Sequence, residues 1–179
     1  MQKVFRNLYI ETYRNFDRDI DNELYNIIKN DIKYIVNLTE CDQLNSYHRI
    51  SLLCNKIKCK DLFNDRDLIR IKKIPPLDRS NDEINLRLKL REEIIEYNRD
   101  FIKSLCKFDG NILFLCNKNN VLSQLFTFII MTIRKESHHI PIILKNRDIV
   151  TSLNNENDIK KYLDKYMGII YNNINEVSK

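Results

Sequence analysis

With 179 residues the chain can build one continuous hydrophobic core but not two, and 43% hydrophobic with 31% charged residues is the make-up of a globular protein. A formal charge of +5, interspersed with acids and without a basic tail, tolerates an anionic partner but does not call for nucleic acid. Only Gly110 and Gly168 are glycines, so loops that need positive φ must be made by other residues. The five cysteines, Cys41, Cys54, Cys59, Cys106 and Cys116, are odd in number and irregularly spaced, with no signal peptide ahead of them. That pattern argues for thiols in a reducing compartment and against a disulfide framework. His48, Cys54 and Cys59 are the one near-cluster of zinc-ligand types, and no second pair completes it, so neither metal nor cofactor is expected. The longest apolar stretch, 125–133, is interrupted by threonine and too short to span a bilayer. A cytoplasmic protein, of a cell or of a virus-infected cell, is the expectation.

In chain order, Asn7-Leu8-Tyr9-Ile10 reads as an opening strand. Residues 21–30 carry Leu24, Ile27 and Ile28 at helical spacing behind an acidic start, which predicts a short helix. The β-branched and aromatic run at 32–39 predicts a central strand. Residues 40–67 are polar and read as irregular, and 68–74 alternate as a strand does until Pro75-Pro76 ends them. A long helix follows, capped by Asn81 or Asp82, with Ile84, Leu88, Ile94, Ile95, Phe101, Ile102 and Leu105 as its apolar stripe. After Gly110, the wholly apolar 112–115 suits a strand buried on both faces. An apolar helix is predicted from about Ser123 to Arg134. His138 and His139 read as surface loop before Pro141, with a short helix around 147–153 and a terminal amphipathic helix bearing Ile159, Tyr162, Leu163 and Tyr166. Strands alternating with helices predict an α/β fold, with a largely parallel sheet flanked by helices in one domain over 1–179.

A buried strand, a short loop and a helix start together form an anion site, because loop amides and the helix dipole both favour negative charge. Here the loop is Cys116-Asn117-Lys118-Asn119-Asn120-Val121-Leu122, with Ser123 at the helix start. A cysteine at that point would have its pKa lowered by the same field and become a nucleophilic thiolate. The segment resembles the signature of cysteine-dependent dual-specificity (protein tyrosine) phosphatases: His-Cys, five residues, Arg, then Ser or Thr. Cys116 matches the nucleophile and Ser123 the hydroxyl position. Asn7-Leu8-Tyr9-Ile10 resembles the family's opening strand, Tyr34-Ile35-Val36-Asn37-Leu38-Thr39 its "V-L-N-L-T" strand, and Ile74-Pro75-Pro76-Leu77-Asp78 the segment carrying the general acid, which the resemblance would place on Asp78. The size and the Arg134-Lys135-Glu136-Ser137 stretch are most similar to poxvirus-type members.

Three positions depart from the family pattern. Leu115 stands at the histidine, Asn119 at the glycine and Leu122 at the arginine. A guanidinium clamp on phosphoryl oxygens has no aliphatic substitute, and its loss costs on the order of a thousandfold in rate. Asn119 is the milder change, since asparagine tolerates left-handed geometry. Lys118 either lends the loop a positive charge or extends into solvent. Cys116 reads as an inert, inherited thiol and Asp78 as a vestigial acid or a turn residue after two prolines. The resemblance therefore implies a pseudophosphatase that binds a protein partner, for instance a phosphoprotein, as a viral modulator of host phospho-signalling would. A homodimer is compatible, since the resembled poxvirus enzymes dimerise. Two alternatives stay open: a weakly active phosphatase using Cys116 in an altered loop, and an RNA-binding relative of RNA 5′-phosphatases.

Overall fold

The apolar run after Gly110 becomes the centre of the fold. The computed structural model describes residues 1–12, 20–39, 56–63, 92–116, 121–146 and 156–171. In chain order these form β1 (Gln2–Phe5), β2 (Leu8–Thr12), α1 (Ile20–Lys29), β3 (Ile32–Asn37), β4 (Lys58–Asp61), a helical stretch at 92–97, α2 (Arg99–Cys106), β5 (Asn111–Cys116) and α3 (Val121–Ile133). A 3-10 turn (Ser137–His139), α4 (Ile140–Lys145) and α5 (Glu156–Tyr171) complete them. The strands make one sheet in the order β1-β2-β5-β3-β4. β1 and β2 are an antiparallel hairpin, and every other pairing is parallel. The fold is thus α/β with a largely parallel sheet and helices on its faces, as the alternation of elements predicts.

A strand with neighbours on both edges and cover on both faces has no polar side to present, and five of the six β5 residues are buried. Alternation sorts its side chains between two cores. Ile112, Phe114 and Cys116 join the larger one, which also takes Ile102 and Leu105 of α2, the apolar body of α3, and Leu163, Tyr166 and Ile170 of α5. Leu113 and Leu115 join a smaller core with Tyr9, Ile32, Ile35 and Ile27 of α1. Helix α3 is apolar nearly all round, as a helix sandwiched between a sheet and other helices must be. Its threonines return their hydroxyls to the helix, Thr127 to the Ser123 carbonyl (2.9 Å) and Thr132 to that of Phe128 (2.7 Å).

The glycine shortage shows at the turns. Arg6 (φ 45°), Asp31 (φ 48°) and Lys135 (φ 61°) take left-handed backbone without being glycine. At Lys135 this closes α3 as a Schellman motif: the Lys135 amide bonds the Thr132 carbonyl and the Glu136 amide that of Met131. Gly110 is needed for space instead. A Cβ there would lie 2.7 Å from Phe108 Cε1 and 2.8 Å from Lys33 Cβ.

Several expectations need correction. Residues 40–67 are not wholly irregular: 58–61 form β4, whose alternately exposed Lys-Cys-Lys-Asp has no apolar pattern and is held by the backbone ladder to β3. A strand, β1, precedes the opening one, and Asn7 lies in the turn between them. Helix α3 begins at Val121, two residues before Ser123. His138 and His139 are helical rather than loop, with His139 packed on Phe5 at 4.9 Å, and Pro141 opens α4, where a missing N–H costs nothing. Asn98 marks an irregular turn in the long helix and donates its side-chain amide to the Ile94 carbonyl at 2.9 Å. The expected strand at 68–74, the helix start with Ile84 and Leu88, and the helix at 147–153 lie outside the described residues, as does the Ile159 side chain.

Candidate functional site

The connections around β5 place a crevice at the carboxyl end of the sheet. After β2 the chain passes to α1, which packs on the smaller core; after β5 it passes to α3, on the opposite face. β2 and β5 are neighbours, with Thr12 opposite Cys116. Adjacent parallel strands whose following helices leave to opposite faces open a cleft beyond their carboxyl ends, the usual ligand position in such sheets. Four residues, 117–120, separate the end of β5 from α3, so the positive end of a 13-residue helix faces this crevice.

Three of the expected site residues border this crevice with their side chains buried. Cys116, 3% exposed, points into the larger core. Leu115, fully buried, points the other way, into the smaller core. Ser123 is buried beside the strand and donates to the Phe114 carbonyl at 3.4 Å. Asp78, Asn117, Lys118, Asn119 and Asn120 lie outside the described residues, as do the side chains of Val121 and Leu122.

Sequence reasoning missed the polar lock beside this crevice. Asn37, buried at the end of β3, donates to Asp61 Oδ1 at 2.9 Å and accepts from the Thr39 hydroxyl (2.7 Å) and amide (3.0 Å). Its own carbonyl accepts from the Leu62 amide, and the next amide, of Leu38, bonds the Leu115 carbonyl at 2.7 Å. Asn37, braced by Thr39, thus ties the carboxyl end of β3 to β4, and the Leu38 amide ties it to β5. The available signal was a polar Asn-x-Thr closing an otherwise apolar strand.

The arginine at the far end of α3 cannot serve the crevice. Thirteen helical residues at about 1.5 Å each put Arg134 roughly 20 Å from the start of α3. Its Nε donates to the Cys106 carbonyl (3.0 Å), Nη1 to Asn7 Oδ1 (2.7 Å), and Nη2 to the carbonyls of Phe108 (3.3 Å) and Leu105 (3.4 Å). Arg6 sits at that same end, paired with Glu136. Arg99, the first residue of α2, keeps Nη1 buried without a hydrogen bond. Among the described residues no group of three or more His, Cys, Asp or Glu side chains could hold a metal, and no helix is long and apolar enough to cross a membrane. No known protein family matches the chain, and no curated protein matches it either.

Proposed function

We propose that this chain is a catalytically inactive relative of the dual-specificity phosphatases that acts by binding a protein partner at the crevice beyond β5. The observation that supports this most directly is an anion-favouring scaffold without its clamp. Strand β5 delivers Cys116 to the start of α3, yet Leu122 occupies the arginine position and the α3 arginine is committed about 20 Å away. A helix dipole favours an anion without accelerating its transfer, because only groups that meet the developing charge raise the rate. A phosphoprotein is the partner chemistry that this scaffold suits, in the cytoplasm of a cell or of a virus-infected cell.

Hydrolysis of an aryl phosphate by the intact chain and by Cys116→Ser tests the loss of catalysis. Equal, background-level rates are expected. Turnover that disappears in Cys116→Ser would overturn the proposal, and Arg99 would then be the first guanidinium to substitute. A parallel comparison of phosphorylated and unphosphorylated peptides by titration tests the binding role, with preference for the phosphorylated form expected.

A further inference from the structure

At the opposite end of the strands, a cleft of about 350 Å³ opens between the β1–β2 turn and the ends of α2 and α3. Small-ligand sites span roughly 300–1,000 Å³, so this one has room for a short polar ligand. Its floor is already set. Arg134 spends four hydrogen bonds on Asn7 and the carbonyls that end α2, and Asn7 donates in turn to the carbonyls of Phe108 (3.2 Å) and Gly110 (2.8 Å). That guanidinium therefore holds the protein together and has little left for an anion.

Three observations give the cleft a preference for cations. Glu136 is 8% exposed and lines the cleft; its Oε1 pairs with Arg6, while its Oε2 is buried with no hydrogen-bond partner. A buried carboxylate oxygen without a donor is costly, and the groups that satisfy it best are cationic N–H donors. The carbonyl ends of both α2 and α3 converge on the cleft, so two negative helix ends face it, with the Asp109 carboxylate beside them. The cation now on Glu136 is weakly held. The Arg6 side chain is 64% exposed, and its residue occupies left-handed backbone at the tip of a hairpin.

We propose that this cleft binds a guanidinium group, carried by a small molecule or by an arginine side chain of a peptide, which takes Glu136 over from Arg6. The ligand supplies the planar fork that Glu136 lacks, one N–H to each oxygen, and Arg6 acts as the built-in competitor that sets the affinity. The inference is independent of any reading of Cys116, which lies at the other end of β5.

The test is calorimetric titration of the full chain at low salt with agmatine and with a blocked Gly-Arg-Gly peptide, using the parent protein, Glu136→Gln and Arg6→Ala. Arg6→Ala is expected to tighten binding several-fold by removing the competitor, and Glu136→Gln to weaken it about tenfold. Binding of agmatine points to a small-molecule source of the guanidinium, and binding of the peptide alone to a side chain. Absence of binding by both in Arg6→Ala overturns the proposal, as does an affinity that Glu136→Gln leaves unchanged. Should Glu136→Gln fail to fold by circular dichroism, Arg6→Ala decides alone: unchanged or weaker binding there sinks the idea.

Discussion

At the carboxyl end of β5, α3 turns its amide end toward Cys116, and the neighbouring polar groups are tied down by Asn37. At the amino end of the same strand, α2 and α3 turn their carbonyl ends toward Arg134, Glu136 and Arg6. The same helix therefore presents opposite fields to the two ends of the strands, one suited to an anion and one to a cation. The difference lies in where guanidinium is used. At the amino end Arg134 is a structural clamp on four oxygens; at the carboxyl end α3 opens with the uncharged residues Val121 and Leu122. Possession of an arginine on α3 thus says little about anion binding until its partners are known.

The contrast can be broken from either side. The largest effect is expected of Arg134→Ala, which strands three backbone carbonyls and Asn7 Oδ1 and should lower the unfolding free energy by about 3–5 kcal/mol. Arg134→Lys should recover less than half, since one ammonium cannot span the fork; urea unfolding of both variants checks this. Next comes Asn37→Ala at the carboxyl end of the strands. It removes the acceptor of Thr39 and the donor to Asp61, with an expected loss of about 2–3 kcal/mol that leaves guanidinium binding at the Glu136 cleft intact.

A smaller effect is expected from the Cys106 thiol as the pH rises. Burial pushes the Cys106 thiol, which donates to the Ile102 carbonyl, from 9.0 up to about 11, with Arg134 offsetting only part of the rise. The unfolded chain loses this proton first, so the contribution is complete below about pH 9 and fades as the pH climbs toward 11. Cys106→Ala should flatten the alkaline side of a stability profile followed by urea unfolding. The smallest effect is a gain. Lys135→Gly, at the left-handed residue closing α3, should raise stability by about 0.5–1 kcal/mol in the same unfolding assay.

Much of the fold was legible in local pattern. The β-branched run at 32–37, the helical spacing of Ile27 with its acidic start, and the unbroken apolar 112–115 each dictate their element, because periodicity is a property of adjacent residues. Strand β4 was not legible. Lys58-Cys59-Lys60-Asp61 has no apolar alternation, and its pairing with β3 supplies what the side chains do not. The candidate site divides in the same way. That Leu115 and Cys116 point to opposite faces follows from strand alternation, whereas the Asn37 lock and the Arg134 clamp join residues 24 and 127 positions apart. No local pattern encodes such pairs.

Composition and spacing by themselves determined the α/β class, the central apolar strand and the apolar helix that follows it. Only the tertiary structure decided the strand order, the switch point beside Cys116 and the meeting of two helix carbonyl ends over Glu136. The physical reason is range. Side-chain period is set by neighbours along the chain, while helix-end fields and buried hydrogen bonds depend on which distant segments pack together.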